Sequence, residues 1–217
     1  CAKRVMLLKE SQFRSFVTHH LNNLRHRVAS GKFSRELPIA ARMGIMSWHA
    51  ELAFFARLDV SRCQVIPRPC MSSRNFYRVG HLAGKEKFPY SNSTHHVYNA
   101  IESIIKSWYE KIDSLTPYDT LQFTLLDKDS GVVTAALLLL ENNTKFGCGV
   151  LRYADDLFNY VILSCAFNTF HVDGDRMYEW GQTPGAKCRR KHAKYTNLCD
   201  SNERYEYHKP IRNVARI

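Results

Sequence analysis

Seven cysteines constrain this chain more than any other feature: Cys1, Cys63, Cys70, Cys148, Cys165, Cys188 and Cys199. None forms a Cys-x-x-Cys pair and none is spaced with histidine as in a zinc finger, so structural zinc is disfavoured. Disulfides in an oxidising compartment fit better, and Cys188 with Cys199 could close a ten-residue loop in the tail. The odd count leaves one thiol over. Two acceptor sequons, Asn92-Ser93-Thr94 and Asn142-Asn143-Thr144, agree with secretion and make Asn92 and Asn142 candidate glycosylation sites. The chain starts at Cys1 with neither an initiator Met nor a charged-then-apolar leader, and reads as a mature form whose targeting segment has been removed.

The 217 residues, 45% of them hydrophobic, suffice for a real core. The longest apolar run, residues 132–140, is about half the length of a membrane span, which excludes a transmembrane helix. A net charge of +11 favours anionic partners without naming them.

Phe13, Phe16, Val17, Leu21, Leu24 and Val28 share one helical face, with Ser11 as candidate N-cap and Gly31 as stop. A second helix is predicted over residues 47–59, from the stripe of Trp48, Leu52, Phe55 and Ala56. Residues 63–89 hold three prolines, two glycines and two cysteines without a sustained period, and read as a stapled loop region. Val97, Ile101, Ile104, Ile105, Trp108 and Ile112 then define a third helix behind a cap drawn from Asn92, Ser93 or Thr94. Residues 132–140 read as a short apolar helix or strand. Residues 146–153 and 160–167 flank the polar turn Ala154-Asp155-Asp156 and read as a β-hairpin. Helices first and a hairpin later predict an α+β fold with helices packed on an antiparallel sheet, in a single domain with a basic tail from residue 173.

Several blocks, in order, resemble the CAP superfamily (SCP/TAPS), most closely its insect antigen 5-related, venom allergen-like branch. They are residues 25–31 (Arg-His-Arg-Val-Ala-Ser-Gly), residues 46–53 (Met-Ser-Trp-His-Ala-Glu-Leu-Ala), and Cys63 with Cys70. Ser107-Trp108-Tyr109-Glu110, Phe146-Gly147-Cys148-Gly149, Cys165-Ala166-Phe167 and residues 195–199 (Tyr-Thr-Asn-Leu-Cys) follow. The resemblance implies the family's disulfide-stapled α-β-α sandwich, with an antiparallel sheet between helices. It implies a single CAP domain over residues 1–172, and a basic, disulfide-closed extension over residues 173–217 that packs on it or trails from it. It also implies secretion to the extracellular space, and pairs Cys148 with Cys165, Cys188 with Cys199 and Cys1 with Cys63, leaving Cys70 alone. Cys63 with Cys70 is the competing pair.

CAP domains commonly carry a cleft of two histidines and two acids able to hold a divalent metal. The resemblance puts Pro67 and Val132 where those histidines stand, and the Gly-Glu/Gln-Asn position at Gly80-His81-Leu82; only Glu110 matches. Pro and Val cannot ligate, so the expectation is a degenerate cleft with no metal and no cofactor. The pairs His19-His20 and His95-His96 point about 100° apart on a helix and, with His171-Val172-Asp173, read as surface. No Gly-x-Ser-x-Gly, phosphate-binding or dinucleotide motif is present, which argues against an enzyme.

Lys187, Arg189, Arg190, Lys191 and Lys194 crowd the loop that a Cys188–Cys199 bridge would hold rigid, and are the candidate anion-binding residues. The expected partner is an extracellular protein receptor or an anionic polysaccharide rather than nucleic acid, since the basic and aromatic residues do not alternate as on a stacking platform. The chain is read as a secreted, monomeric, non-enzymatic CAP-domain binding protein of reproductive, salivary or haemolymph secretions. The alternatives are a small-lipid or sterol carrier using the aliphatic run at 132–140, and a metal-dependent hydrolase.

Overall fold

A computed structural model describes residues 3–34, 36–66, 71–90, 95–123, 130–170 and 174–206. In chain order its elements are β1 (Lys3–Leu7), α1 (Glu10–Ala29), β2 (Ser47–Trp48), α2 (Ala50–Val60), β3 (Gly80–Pro89) and α3 (His95–Glu110), which tightens into a 3-10 turn (Lys111–Ser114). Then come α4 (Pro117–Leu121), α5 (Ser130–Leu139), β4 (Lys145–Ala154) and β5 (Phe158–Phe167).

The expected hairpin is present. β4 and β5 pair antiparallel, and Asp155 turns the chain by accepting the N–H groups of Leu157 (2.8 Å) and Phe158 (2.7 Å). β3 extends the sheet beyond β5 and β1 extends it beyond β4, both antiparallel, while β2 joins the start of β4 in parallel. Because strand side chains alternate between faces, the sheet has two distinct surfaces. On one, Phe146, Cys148, Val150, Leu163, Cys165, Phe167 and Leu82 join the main core with apolar residues of α1, α3 and α5. On the other lies α2, against which Gly147 and Gly149 leave room for a close approach: a Cβ on Gly147 would stand 2.1 Å from the Ala53 nitrogen, and one on Gly149 2.8 Å from the Arg57 Cα. The architecture is an α-β-α sandwich with a mainly antiparallel central sheet.

Cys148 and Cys165 are register partners across the hairpin, with Cα atoms 4.1 Å apart, and are bridged; Cys188 and Cys199 are bridged in the tail. Cys63 is also disulfide-bonded. Its two candidate partners, Cys1 and Cys70, lie outside the described residues, as do the cap candidates Asn92, Ser93 and Thr94.

Several boundaries differ from expectation. α1 begins at Glu10, before Ser11, and the Lys9 N–H is held by Gln12 Oε1 at 2.8 Å; Gly31 closes the helix with φ +68°, as a left-handed terminal glycine does. Ser47 and Trp48, read as the opening of a helix, form β2, since Ser47 donates to the Thr144 carbonyl and His49 to that of Phe146. The largest correction is β3, a ten-residue strand inside the segment read as loop. It lies at the sheet edge, where exposed Lys85 and Lys87 and two glycines erase the apolar alternation of an interior strand. Residues 132–140, read as helix or strand, are helical through Leu139, and Ala135 to Leu139 are at most 1% exposed, in the core.

Arg25 ties α1 to the end of α5. It is 1% exposed, and its guanidinium donates to the carbonyls of Gly44 (3.0 Å), Leu138 (2.7 Å), Leu140 (2.9 Å) and Glu141 (3.3 Å), capping the last turn of α5 from a neighbouring helix. Burial lowers its pKa to about 10. One turn earlier Asn22 makes a two-way clamp on Met46, donating to its carbonyl and accepting its N–H, each at 2.8 Å. Described tail residues Met177, Tyr178, Tyr195 and Leu198 are buried in the same core as the helices.

Candidate functional site

The residues expected at the family's metal cleft are not brought together. Gly80 and Leu82 face α5 and the main core, so the residue between them, His81, points through the opposite face toward α2. There its Nε2 lies 2.8 Å from Asp59 Oδ2 and 2.7 Å from Ser164 Oγ, with the imidazole side chain only 8% exposed. Glu110 is exposed at the end of α3, on the other side of the sheet, and Val132 is buried in the main core. His81 and Glu110 thus lie on opposite sides of the sheet. The strand position facing α5 is Gly80, where a Cβ would meet Leu137 Cδ1 at 2.4 Å.

Pro67 lies outside the described residues. Val132 and Gly80 offer no donor atom and His81 is engaged across the sheet, so these residues do not fit a zinc ion. Among the described residues no group of three His, Cys, Asp or Glu side chains gathers as a metal site. Asp59, His81 and Ser164 also lack the geometry of a catalytic triad, because both contacts use the same ring nitrogen and the link is sealed from solvent. It works as a polar tie between α2, β3 and β5.

Several other described histidines make structural contacts. His19 is exposed, but its Nδ1 meets the Tyr195 hydroxyl at 3.1 Å, and His20 packs against Phe16. His192 Nδ1 accepts the N–H groups of Lys194 and Tyr195, each at 3.1 Å, and His26 Nδ1 accepts that of Asn197 at 3.3 Å. His171 and the His95 side chain lie outside the described residues.

The basic tail segment is exposed and firmly seated. Cys188–Cys199 closes it, while Ile45 donates to the Cys199 carbonyl and Cys199 to that of Met43. The five cations are not equivalent, as the sequence alone suggested. Lys187 is paired with Glu179, which it holds below the usual carboxylate range, and Arg190 is paired with Asp200. Lys191 Nζ donates to the Pro184 carbonyl at 2.7 Å, and Lys194 lies over the Tyr195 ring.

Arg189 instead lines a cleft of about 660 Å³ with Arg42, Arg176, Arg204, Tyr205 and Glu141. Arg42 makes two hydrogen bonds to Glu203 Oε1, at 2.9 and 3.1 Å, and stacks on Tyr205; Arg176 stands 3.8 Å from Glu141 and 3.9 Å from Glu179. Burial raises the Glu141 pKa, and the acids Asp175 and Glu206 also line the cleft. Asn142 also lines the cleft, its amide 3.5 Å from the Glu206 carbonyl; the other sequon asparagine, Asn92, lies outside the described residues. Sequence reading found Arg189 by its crowded neighbourhood but missed Arg42, Arg176 and Arg204. They are isolated in the chain and converge only because the tail folds back over residues 40–45.

A family model described as "Cysteine-rich secretory protein family" (CAP) matches residues 18–167. Tabinhibitin 7 of Tabanus yao is 29% identical over 198 residues, covering 91% of this chain and 74% of the relative. Among solved structures, NaASP2 with Zn2+ is similar with a TM-score of 0.62 and 25% identity, covering 89% of this chain and 96% of that one. BmVAL-1 has a TM-score of 0.66 at 21% identity, covering 89% and 95%, and agrees in fold.

Proposed function

The chain belongs to the CAP family of cysteine-rich secretory proteins, and from that premise we propose that it is a secreted, non-enzymatic binding protein whose arginine cleft receives an anionic partner. One observation carries this reading: arginines from four separate stretches of chain, Arg42, Arg176, Arg189 and Arg204, line one cleft. Arg189 sits beside the bridged Cys188, so the basic loop and the cleft form one surface. Planar guanidinium groups suit sulfate and carboxylate groups, which they can bind through paired N–H donors. A sulfated polysaccharide, or an acidic segment of an extracellular protein, has that chemistry.

Tabinhibitin 7, similar over most of this chain, carries a name that describes inhibition, which is compatible with a binding role. Among the described residues no helix is long and apolar enough to cross a membrane. A glycan on Asn142 would stand at the cleft wall, so glycosylation there would oppose binding.

The test is retention on an immobilised sulfated polysaccharide. The Arg176→Ser, Arg189→Ser, Arg204→Ser variant should elute at clearly lower salt than the parent, because each lost phosphate-like contact removes counterion release. A charge-matched variant at exposed Lys106, Lys111 and Lys145 should elute near the parent. Equal weakening by both variants would reduce the effect to net charge and sink the assignment of the cleft.

A further inference from the structure

The outward face of α2 has a composition that the buried side of that helix does not explain. Leu52, Ala53, Ala56, Asp59 and Val60 turn inward. Phe54 and Leu58, one helical turn apart, remain 55% and 51% exposed. The chain leaving the helix is anchored by Cys63, which packs near Val60, Leu151 and Ile162, and then presents exposed Val65 and Ile66. Alongside, the 71–79 segment is seated by Met71, Phe76 and Val79 against Leu52 and Ala56, and shows Tyr77 to solvent. Five large apolar side chains therefore share one layer of the molecule.

The exposed charges on this layer are mainly basic. Over residues 50–66 and 71–79 the basic residues are Arg57, Arg62, Arg74 and Arg78, all exposed. The acids are Glu51, which accepts from Asn75 at 2.7 Å, and Asp59, which is buried against His81. Glu10 of α1 stands 4.0 Å from Arg57. Aromatic and aliphatic groups interleaved with arginines, and nearly free of competing carboxylates, complement a surface that offers both phosphate groups and an apolar interior.

We propose that the outer face of α2, with residues 65–66 and 74–78, is a docking surface for anionic phospholipid membranes. Phe54, Leu58, Val65, Ile66 and Tyr77 enter the interfacial layer, while the four arginines meet lipid phosphates. The surface lies on the α2 side of the sheet and shares no residue with the arginine cleft, so either assignment can fail while the other stands.

The experiment is co-sedimentation of the protein with vesicles of phosphatidylcholine alone and of phosphatidylcholine containing phosphatidylserine. The parent should bind the anionic vesicles and leave the neutral ones. Phe54→Ser with Leu58→Ser should weaken that binding about tenfold or more, from the apolar area no longer buried. Its thermal midpoint should stay at or above the parent's, because both side chains are already exposed. Arg57→Ser with Arg62→Ser should also weaken binding, while Arg189→Ser with Lys191→Ser and Lys194→Ser should not. Absence of parental binding to anionic vesicles would overturn the proposal. So would parental affinity in the Phe54/Leu58 variant, or equal loss in the tail-loop variant, which would show attraction by net charge alone. Loss of vesicle binding to a competing sulfated polysaccharide, with the Phe54/Leu58 variant unaffected, would assign the surface to polysaccharide instead.

Discussion

His81 Nε2 lies 2.8 Å from Asp59 Oδ2, across the interface between β3 and α2 and on the face of the sheet away from Glu110. The same nitrogen is 2.7 Å from Ser164 Oγ, so one imidazole ties a helix to two strands. His81→Ala would remove a shared partner from two side chains that are almost fully buried, and the expected cost is about 2–3 kcal/mol of stability in urea unfolding. A change within error would mean that the contact is incidental.

Arg25 presents a different requirement, since its acceptors are four carbonyls arranged for a planar fork. Arg25→Lys keeps the charge but cannot reach all four, and should destabilise by about 2–4 kcal/mol. Equal stability of the lysine variant would show that charge, not donor geometry, holds the end of α5.

The tail should loosen in acid. His26 accepts the Asn197 N–H through Nδ1, which only an unprotonated nitrogen can do. Burial pulls the His26 imidazole below its ordinary value of 6.5. Folded His26 therefore binds fewer protons than the unfolded chain, and stability rises with pH: its contribution is complete above 6.5 and is lost as pH falls below it. The thermal midpoint should drop on acidification from about pH 7.5 to 5.5, and His26→Asn should flatten that slope. An identical slope in the variant would place the acid sensitivity elsewhere.

Gly147 tests how closely α2 lies on the sheet. Gly147→Ala places a Cβ 2.1 Å from the backbone nitrogen of Ala53, and backbone cannot rotate aside as a side chain can. The expected loss is about 2–3 kcal/mol or more, read from denaturant midpoints. Retention of parental stability would mean that the helix can lift from the strand at little cost.

What the sequence made legible follows from where each signal lives. The α3 stripe from Val97 to Trp108 repeats about one buried face, while β4 and β5 are near-continuous apolar runs buried on both faces and separated by a polar turn, so both patterns are local. β3 was hidden because an edge strand with Lys85, Glu86 and Lys87 needs no alternation of apolar residues. β2 has only two residues and so no period at all. At the site, the absence of ligating side chains at Val132 and Pro67 was readable from residue types. The orientation of His81 was not, because it depends on strand parity in a segment read as loop. The arginine cleft was illegible for another reason: Arg42 and Arg204 lie far apart in sequence and meet only through tertiary packing, with Arg42 Nη2 donating to the Arg204 carbonyl.

The most direct test of the proposed non-enzymatic, metal-free binding role is titration calorimetry of zinc into the folded protein, run in parallel on Glu110→Ala and His81→Ala. The expected result is no saturable binding that depends on Glu110, and no difference between parent and Glu110→Ala. A one-site isotherm in the micromolar range, abolished by Glu110→Ala, would contradict it and restore a metal-assisted function to this fold.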